Sequence, residues 1–306
     1  MGAINTDPES LLIVGTGALA TLFAARLAAV GVPVTLLGGW QAGLDALSHH
    51  GAQLEGGQAF PVRATANPED CLGAKAALVL VKSWQTRVVA GQLSACLAPT
   101  GVALTLQNGL GNDMLLEQAL GPERVAHGVT TLGASLPAPG IVRLAGDGPV
   151  TLEAHPRLSS IERMLRQGGF DVYQAEDVRS LVWSKLVVST AINPLTALLR
   201  LKNGDLLDRP TARALMGVVA LETARVSDAQ GIDLLFPDPV AEVENVAMLT
   251  SQNISSMLQD VLRGTQTEID AINGAVVNIA NRLQIPVPAN QMIWSLVKAI
   301  SVHGKI

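Results

Sequence analysis

Apolar residues along this chain fall into two textures. In the first part they form short unbroken runs: Leu11–Val14, Val34–Leu37, Ala77–Val81 and Val102–Leu106. Runs of that length, ended by polar or glycine positions, predict strands covered on both faces, as in a parallel sheet. Between the first two runs, Ala18 to Ala29 has the Ala/Leu composition of a helix, closed by Gly31. Strand, helix and strand in this order predict a βαβ unit. Segments around Arg124–Leu136 and Ile141–Glu153 predict further strands, and the turns Pro139-Gly140 and Gly146-Asp147-Gly148 predict a late antiparallel pair. After about Glu176 the strand signals stop. From Glu268 onward, Ile269, Ile272, Val276, Ile279 and Leu283 recur at helical spacing, which predicts a helix opening near Gly264–Glu268. The chain therefore divides into an α/β half, residues 1–176, and an all-α half, residues 177–306, with no internal repeat or low-complexity linker between them.

Composition narrows the class. Hydrophobic residues make up 48% and charged residues 15%, which provides a large core and argues against disorder. Only 3% are aromatic, so the core must be Ala, Val, Leu and Ile. The net charge is -5 and no Lys/Arg cluster occurs, which argues against a nucleic-acid partner. From Leu11 to Trp40 the sole charge is Arg26, yet Gly15, Gly17, Gly31 and Pro33 break that stretch into strand, turn, helix and strand rather than a membrane span. The residues before it include Asp7 and Glu9, unlike a signal peptide. Cys71 and Cys96 form no disulfide framework, and a reduced cytoplasmic setting is expected. The histidines (His49, His50, His127, His155, His303) make no metal-ligand pattern, so no metal is expected.

The turn Gly15-Thr16-Gly17-Ala18-Leu19-Ala20 has the form G-x-G-x-x-A, placed between an apolar strand and a helix. In such a turn the first glycine permits the bend and the second lets backbone amides approach a pyrophosphate. The small third residue lets helix and strand pack closely. The expected ligand is a dinucleotide. Near the end of the second strand the sequence reads Leu36-Leu37-Gly38-Gly39-Trp40-Gln41, with neither the carboxylate of an NAD site nor an arginine for NADP. Trp40 either covers an adenine or packs on the surface.

Polar residues that interrupt apolar runs are the remaining candidates. Lys82 ends one strand run and Asn108-Gly109 follows another; each reads equally as a ligand group at a strand's carboxyl end or as an ordinary surface turn. On the strongly apolar segment Val182–Leu195, Lys185, Ser189 and Asn193 fall at i, i+4 and i+8 as one polar stripe. A lysine there is partly desolvated, which lowers its pKa toward neutrality and suits it to general acid–base work; the alternative is a lysine snorkelling at the helix edge. Pro194 frees a carbonyl four residues back, where the helix is expected to bend. Thr265-x-x-Glu268 fits a capping box, and local sequence favours that role for Glu268; Ser256 reads as an ordinary helical serine.

Taken together these residues resemble ketopantoate reductase (2-dehydropantoate 2-reductase). The resemblance rests on Gly15-x-Gly17-Ala18-Leu19, Lys82, Asn108-Gly109-Leu110-Gly111, Trp183-x-Lys185-Leu186 and Ile192-Asn193-Pro194-Leu195-Thr196-Ala197. It extends through Asn253-Ile254-Ser255-Ser256-Met257-Leu258-Gln259-Asp260 and Thr267-Glu268-Ile269-Asp270-x-Ile272-Asn273-Gly274, in order over nearly the whole chain. It implies an N-terminal Rossmann-type dinucleotide-binding domain and an all-α C-terminal domain with the active site in the cleft. It also implies NADP as cofactor, and cofactor contacts from residues 15–20, Lys82 and Asn108. By resemblance Lys185 is the general acid, Glu268 its acidic partner, and Asn108 a residue near the nicotinamide that helps place the lysine. Ser189, Asn193, Asn253 and Ser256 match substrate positions, Ser256 facing the keto-acid carboxylate. The chain departs from the family at Ser189, where asparagine is usual, and at Gly39, where an arginine usually meets the NADP 2′-phosphate.

The expected activity is NADP-dependent reduction of 2-dehydropantoate to pantoate, a step toward pantothenate and coenzyme A. The alternatives are reduction of a related small 2-keto acid, suggested by Ser189, and a non-catalytic dinucleotide sensor of the same fold. Retention of Lys185, Asn108 and Glu268 argues against the sensor. The sequence does not fix the oligomeric state; a homodimer is compatible with it.

Overall fold

A computed structural model describes residues 10–301; His303 and the acidic residues Asp7 and Glu9 lie outside them. The chain folds as two compact units. The first contains the residues up to Gln107 and then Asn112–Val178; the second contains Asn108–Gly111 and the residues from Arg179 onward. The contiguous boundary drawn from sequence at 176/177 therefore misses four residues that fold with the helical unit.

The first unit runs β1 (Leu11–Val14), α1 (Ala18–Ala29), β2 (Val34–Leu37), α2 (Gln41–His50), β3 (Ala52–Leu54), β4 (Ala59–Phe60), β5 (Arg63–Thr65) and β6 (Ala74–Val79). It continues through α3 (Thr86–Cys96), β7 (Leu97–Thr105), α4 (Asn112–Leu120), β8 (Val125–Thr130), β9 (Gly133–Ala138), β10 (Ile141–Gly146), β11 (Val150–Glu153), α5 (Ser159–Gln167) and β12 (Val172–Ala175). Eight strands form one sheet in the order β12-β11-β8-β7-β6-β1-β2-β5, parallel except for the β8–β11 pair. The other four form a small sheet, β4-β3-β10-β9, in which β9 and β10 make the antiparallel pair expected around Pro139-Gly140.

The first two apolar runs form β1 and β2 as predicted, whereas the runs at Ala77–Val81 and Val102–Leu106 fall in strands that begin earlier, at Ala74 and Leu97, and end at Val79 and Thr105. Every residue of β1 and β2 is buried, because the strands lie inside the sheet with both faces covered. Helix α1 is buried on nearly every side, from Ala20 through Ala25 and at Leu27. It packs on β2 of the large sheet and on β3, β9 and β10 of the small one. A helix held between two sheets has no solvent face, so its sequence shows no amphipathic period. Each fully buried leucine of this core, such as Leu36, contributes about 1.5–3 kcal/mol through burial. In the middle of α1, Phe23 stacks on Phe170 with ring centroids 4.3 Å apart.

The second unit is helical: α6 (Val178–Leu199), α7 (Pro210–Asp228), α8 (Pro239–Leu249), α9 (Ser256–Leu262), α10 (Asn273–Leu283) and α11 (Pro288–Ser301). Helix α6 is continuous through Pro194. It is long and apolar enough to cross a membrane by composition, but 67% of its most apolar window is buried inside the fold, as in the core helix of a globular unit. One expectation fails here. The helix predicted to open at Gly264–Glu268 begins at Asn273, with Ile272 at its cap. Thr265 donates its hydroxyl to the Asp260 carbonyl instead of capping a new helix. Glu268 begins a tight turn in which the amides of Ala271 and Ile272 both donate to its carbonyl, so no capping box forms.

Candidate functional site

The first unit offers a helix N-terminus at the centre of a parallel sheet. Strand β1 lies between β2 and β6, so the chain leaves β1 to one side and later returns on the other, and the carboxyl ends of the two inner strands diverge there. Gly15 caps β1 with φ +128°, a conformation that L side chains avoid, and a Cβ there would lie 3.2 Å from the Leu80 backbone. Its amide donates to the Leu37 carbonyl at 2.7 Å, which fixes the turn to the neighbouring strand. Thr16 is buried, and its methyl group occupies the space a Gly38 Cβ would need, 2.8 Å away. Gly17 caps α1 with no side-chain hydrogen bond, and a Cβ on it would meet nothing within 4 Å. Ala18 and Leu19 are half-buried and Ala20 is fully buried. The first turn of α1 carries no acidic residue. A helix N-terminus with no side-chain cap and no carboxylate in its first turn is the environment a pyrophosphate requires, so these residues fit the dinucleotide.

Lys82 follows β6 and caps a short 3₁₀ turn, Ser83–Gln85, with its amide donating to Gln85 Oε1 at 3.3 Å. The sequence reading missed the residue that anchors this loop. Gln107, buried at the end of β7, donates through Nε2 to the Val81 carbonyl at 2.9 Å and to Thr86 Oγ1 at 2.8 Å. Thr86 in turn donates to Asn112 Oδ1 at 2.8 Å. At the end of β2, α2 starts at Gln41, again without a side-chain cap or an acid in its first turn. The Trp40 ring lies against Gly43, where any Cβ would collide with it.

The second unit brings together three of the candidates. Gly109 has φ +82° and lies so close to the Ala271 carbonyl that a Cβ could not be accommodated. Leu110 donates its amide to the same carbonyl at 2.9 Å. The Asn108–Gly111 segment is thereby docked on the Glu268–Ile272 turn, and Asn108 Nδ2 donates to Glu268 Oε2 at 3.4 Å. Glu268 is only 5% exposed. Its charge also acts on Lys185 of α6. Burial pulls the Lys185 ammonium down to about 8, and the attraction of Glu268 opposes that fall. By surface exposure Lys185 is half-buried on α6.

Ser189 is buried and Asn193 half-buried further along the same face of α6. Asn253 and Ser256 lie on the segment leading into α9, with Ser256 its first residue. Thr196 on α6 donates to Ser255 Oγ at 2.7 Å, and Ser255 Oγ accepts the Leu258 amide. This contact ties the start of α9 to α6 three residues beyond Asn193. Asn253 is held by a hydrogen bond from its own amide to the Thr250 carbonyl and one from the Asn203 amide to its carbonyl. Thr196 and Ser255 occur in the family motifs, but the sequence assigned neither a role, since the two are 59 residues apart. Among the described residues no group of three or more His, Cys, Asp or Glu is placed to hold a metal ion.

Comparison with known proteins places these features in a family. The profile described as "Ketopantoate reductase PanE/ApbA" matches residues 11–157, and that described as "Ketopantoate reductase PanE/ApbA C terminal" matches residues 177–301. A 2-dehydropantoate 2-reductase of Archaeoglobus fulgidus is 35% identical over 299 residues, 95% of this chain and 98% of that protein. The crystal structure of a PanE/ApbA family ketopantoate reductase from Ralstonia eutropha JMP134 superposes with a TM-score of 0.88 at 31% identity, covering 96% of this chain and 98% of that one. D-mandelate dehydrogenase, solved with NADH and anilino(oxo)acetate, shares the fold at a TM-score of 0.88 and 24% identity, over 96% of this chain and 98% of its own. The chain belongs to the ketopantoate reductase PanE/ApbA family, a family of oxidoreductases.

Proposed function

We propose that this protein reduces 2-dehydropantoate to pantoate with NADPH, using Lys185 as the general acid. The observation that carries the proposal is the grouping of Asn108, Glu268 and a desolvated Lys185 within one unit of a member of this family. A bound nicotinamide supplies the hydride. Lys185 donates a hydrogen bond to the ketone oxygen, stabilises the negative charge that grows on it, and transfers its proton there. Glu268 keeps the lysine protonated against the effect of burial, and Asn108 orients that carboxylate. Ser256 meets the substrate carboxylate, while Ser189, Asn193 and Asn253 line the rest of the acid. A dinucleotide sensor would have no use for a half-buried lysine coupled to a buried glutamate.

A second substrate is favoured by one observation. Ser189 is buried where the family usually carries the longer asparagine. The shorter side chain weakens a contact to a distal hydroxyl, or routes it through water, and favours a related 2-keto acid without that hydroxyl. Steady-state assay of the purified protein with 2-dehydropantoate and several branched 2-keto acids separates the readings. The highest kcat/KM is expected for 2-dehydropantoate. A better branched acid supports the second reading, and no turnover of any acid supports the sensor.

The cofactor preference is expected to be small. No arginine follows β2, but Gly39 and the uncapped start of α2 provide backbone amides for a 2′-phosphate, the Gly38 amide being taken by the Thr65 carbonyl. Such a site holds phosphate less firmly than a bidentate arginine. NADPH should be preferred over NADH by about tenfold in kcat/KM, equivalent to ~1.4 kcal/mol. A Cβ at Gly39 meets nothing within 4 Å, so Gly39→Arg can be made without a clash and should raise the preference. A wild-type preference for NADH would overturn the cofactor assignment.

The pH dependence has a defined sign. Reduction requires the cationic lysine, so kcat should be level below about 8, the Lys185 value, and fall above it. The reverse oxidation requires the neutral amine and should rise through the same range. A reduction rate that holds up to the ordinary lysine pKa of about 10.4 would exclude Lys185 as the acid.

A further inference from the structure

We infer that Asn273 is a positioning residue that sets the geometry of the Lys185–Glu268 pair. The inference deepens the proposed function, since it rests on Lys185 acting as the acid. Pro194 lacks an amide hydrogen, so the Thr190 carbonyl, four residues earlier on α6, has lost its helical donor. Thr190 is fully buried, and water cannot serve in its place. Asn273 Nδ2 donates to that carbonyl at 3.1 Å.

A chain of acceptors fixes the direction of this amide. The Glu222 carboxylate can only accept, and it takes the Ala289 amide at 3.0 Å, the Asn290 amide at 2.9 Å and Asn290 Nδ2 at 3.0 Å. Asn290 Nδ2 also faces the Val219 carbonyl at 3.3 Å. Its Oδ1 is left to accept, and Asn273 Nδ2 supplies the bond at 3.0 Å. Two acceptors therefore face Asn273, and its amide nitrogen carries two hydrogens for them. Aspartate at this place has no donor, and serine has one.

The position of the bridge is what gives it a role. Thr190 stands five residues after Lys185 on α6, and Asn273 five residues after Glu268, at the start of α10. Between Glu268 and Asn273 lies only the tight turn closed on the Glu268 carbonyl. The bridge thus joins the two segments that bear the proposed acid and its partner. Asn273 Oδ1 has no hydrogen-bond partner among the described residues, although the residue is fully buried.

The test uses the purified enzyme with NADPH and substrate. Asn273→Ala should lower kcat about tenfold, because a displacement of order 1 Å between reacting groups is costly. The KM for NADPH should change little, and the alkaline limb of kcat, set by Lys185, should move. Pro194→Ala returns a helical donor to Thr190, so adding it to Asn273→Ala should recover much of the loss. If Asn273→Ala does not fold, Asn290→Ala, which withdraws the acceptor that orients Asn273, should move the same limb. A lower Tm with kcat and the limb unchanged in the folded variant would overturn the inference. Absence of the limb in the wild type would instead defeat Lys185 as the acid.

Discussion

Lys185→Ala should lower kcat by roughly a hundredfold to ten-thousandfold, the usual cost of losing a group that donates a proton and stabilises charge. The effect should be confined to chemistry. The dinucleotide turn at Gly15–Ala20 belongs to the first unit and Lys185 to the second, so dinucleotide affinity measured by calorimetry should be nearly unchanged. Lys185→Arg is informative beside it. A guanidinium keeps the positive charge but does not give up its proton near neutral pH, so substrate affinity should survive better than rate. Retention of more than a tenth of wild-type kcat in the alanine variant would remove Lys185 from the mechanism.

Glu268→Gln should lower kcat/KM at least tenfold while leaving the thermal midpoint nearly unchanged. Glutamine preserves the shape and an acceptor for Asn108 Nδ2, so the docking of the Asn108–Gly111 segment is kept. What disappears is the charge that holds the Lys185 value up against burial. The sign follows directly: without that charge the lysine value falls below about 8, and the alkaline limb of reduction moves to lower pH. The local alternative, a helix cap, is already excluded by geometry, because α10 starts at Asn273. Unchanged kinetics with an unmoved limb would make Glu268 a structural residue only.

Much of this was legible one segment at a time. The residues of β1, α1 and β2 were bounded correctly from sequence, because apolar run length and the punctuation by Gly15, Gly17 and Gly31 are local properties. The stripe of Lys185, Ser189 and Asn193 was visible for the same reason, since i, i+4 spacing needs no tertiary knowledge. The small sheet was only half legible. Strand β3 pairs with β10, nearly ninety residues later in the chain, and neither strand carries a strong apolar run.

Glu268 shows where local reasoning fails. Thr265-x-x-Glu268 satisfies the capping pattern, yet the chain there bends into a turn that the Gly109–Leu110 backbone meets at the Ala271 carbonyl. Gln107, Thr196, Ser255 and Asn273 were given no individual role for a related reason: each is an ordinary polar residue until a distant partner arrives. By itself the sequence determined which segments become strands and helices, where a phosphate-binding turn can form, and which lysine faces an apolar environment. These follow from covalent geometry and the spacing of apolar residues over a few turns. Only the tertiary structure decided that Glu268 sits on a turn rather than in a helix cap, which amide takes the carbonyl freed by Pro194, and how far burial lowers the ammonium. Desolvation and hydrogen-bond pairing depend on groups that are remote in sequence, and they acquire values only when packing brings those groups within a few ångströms.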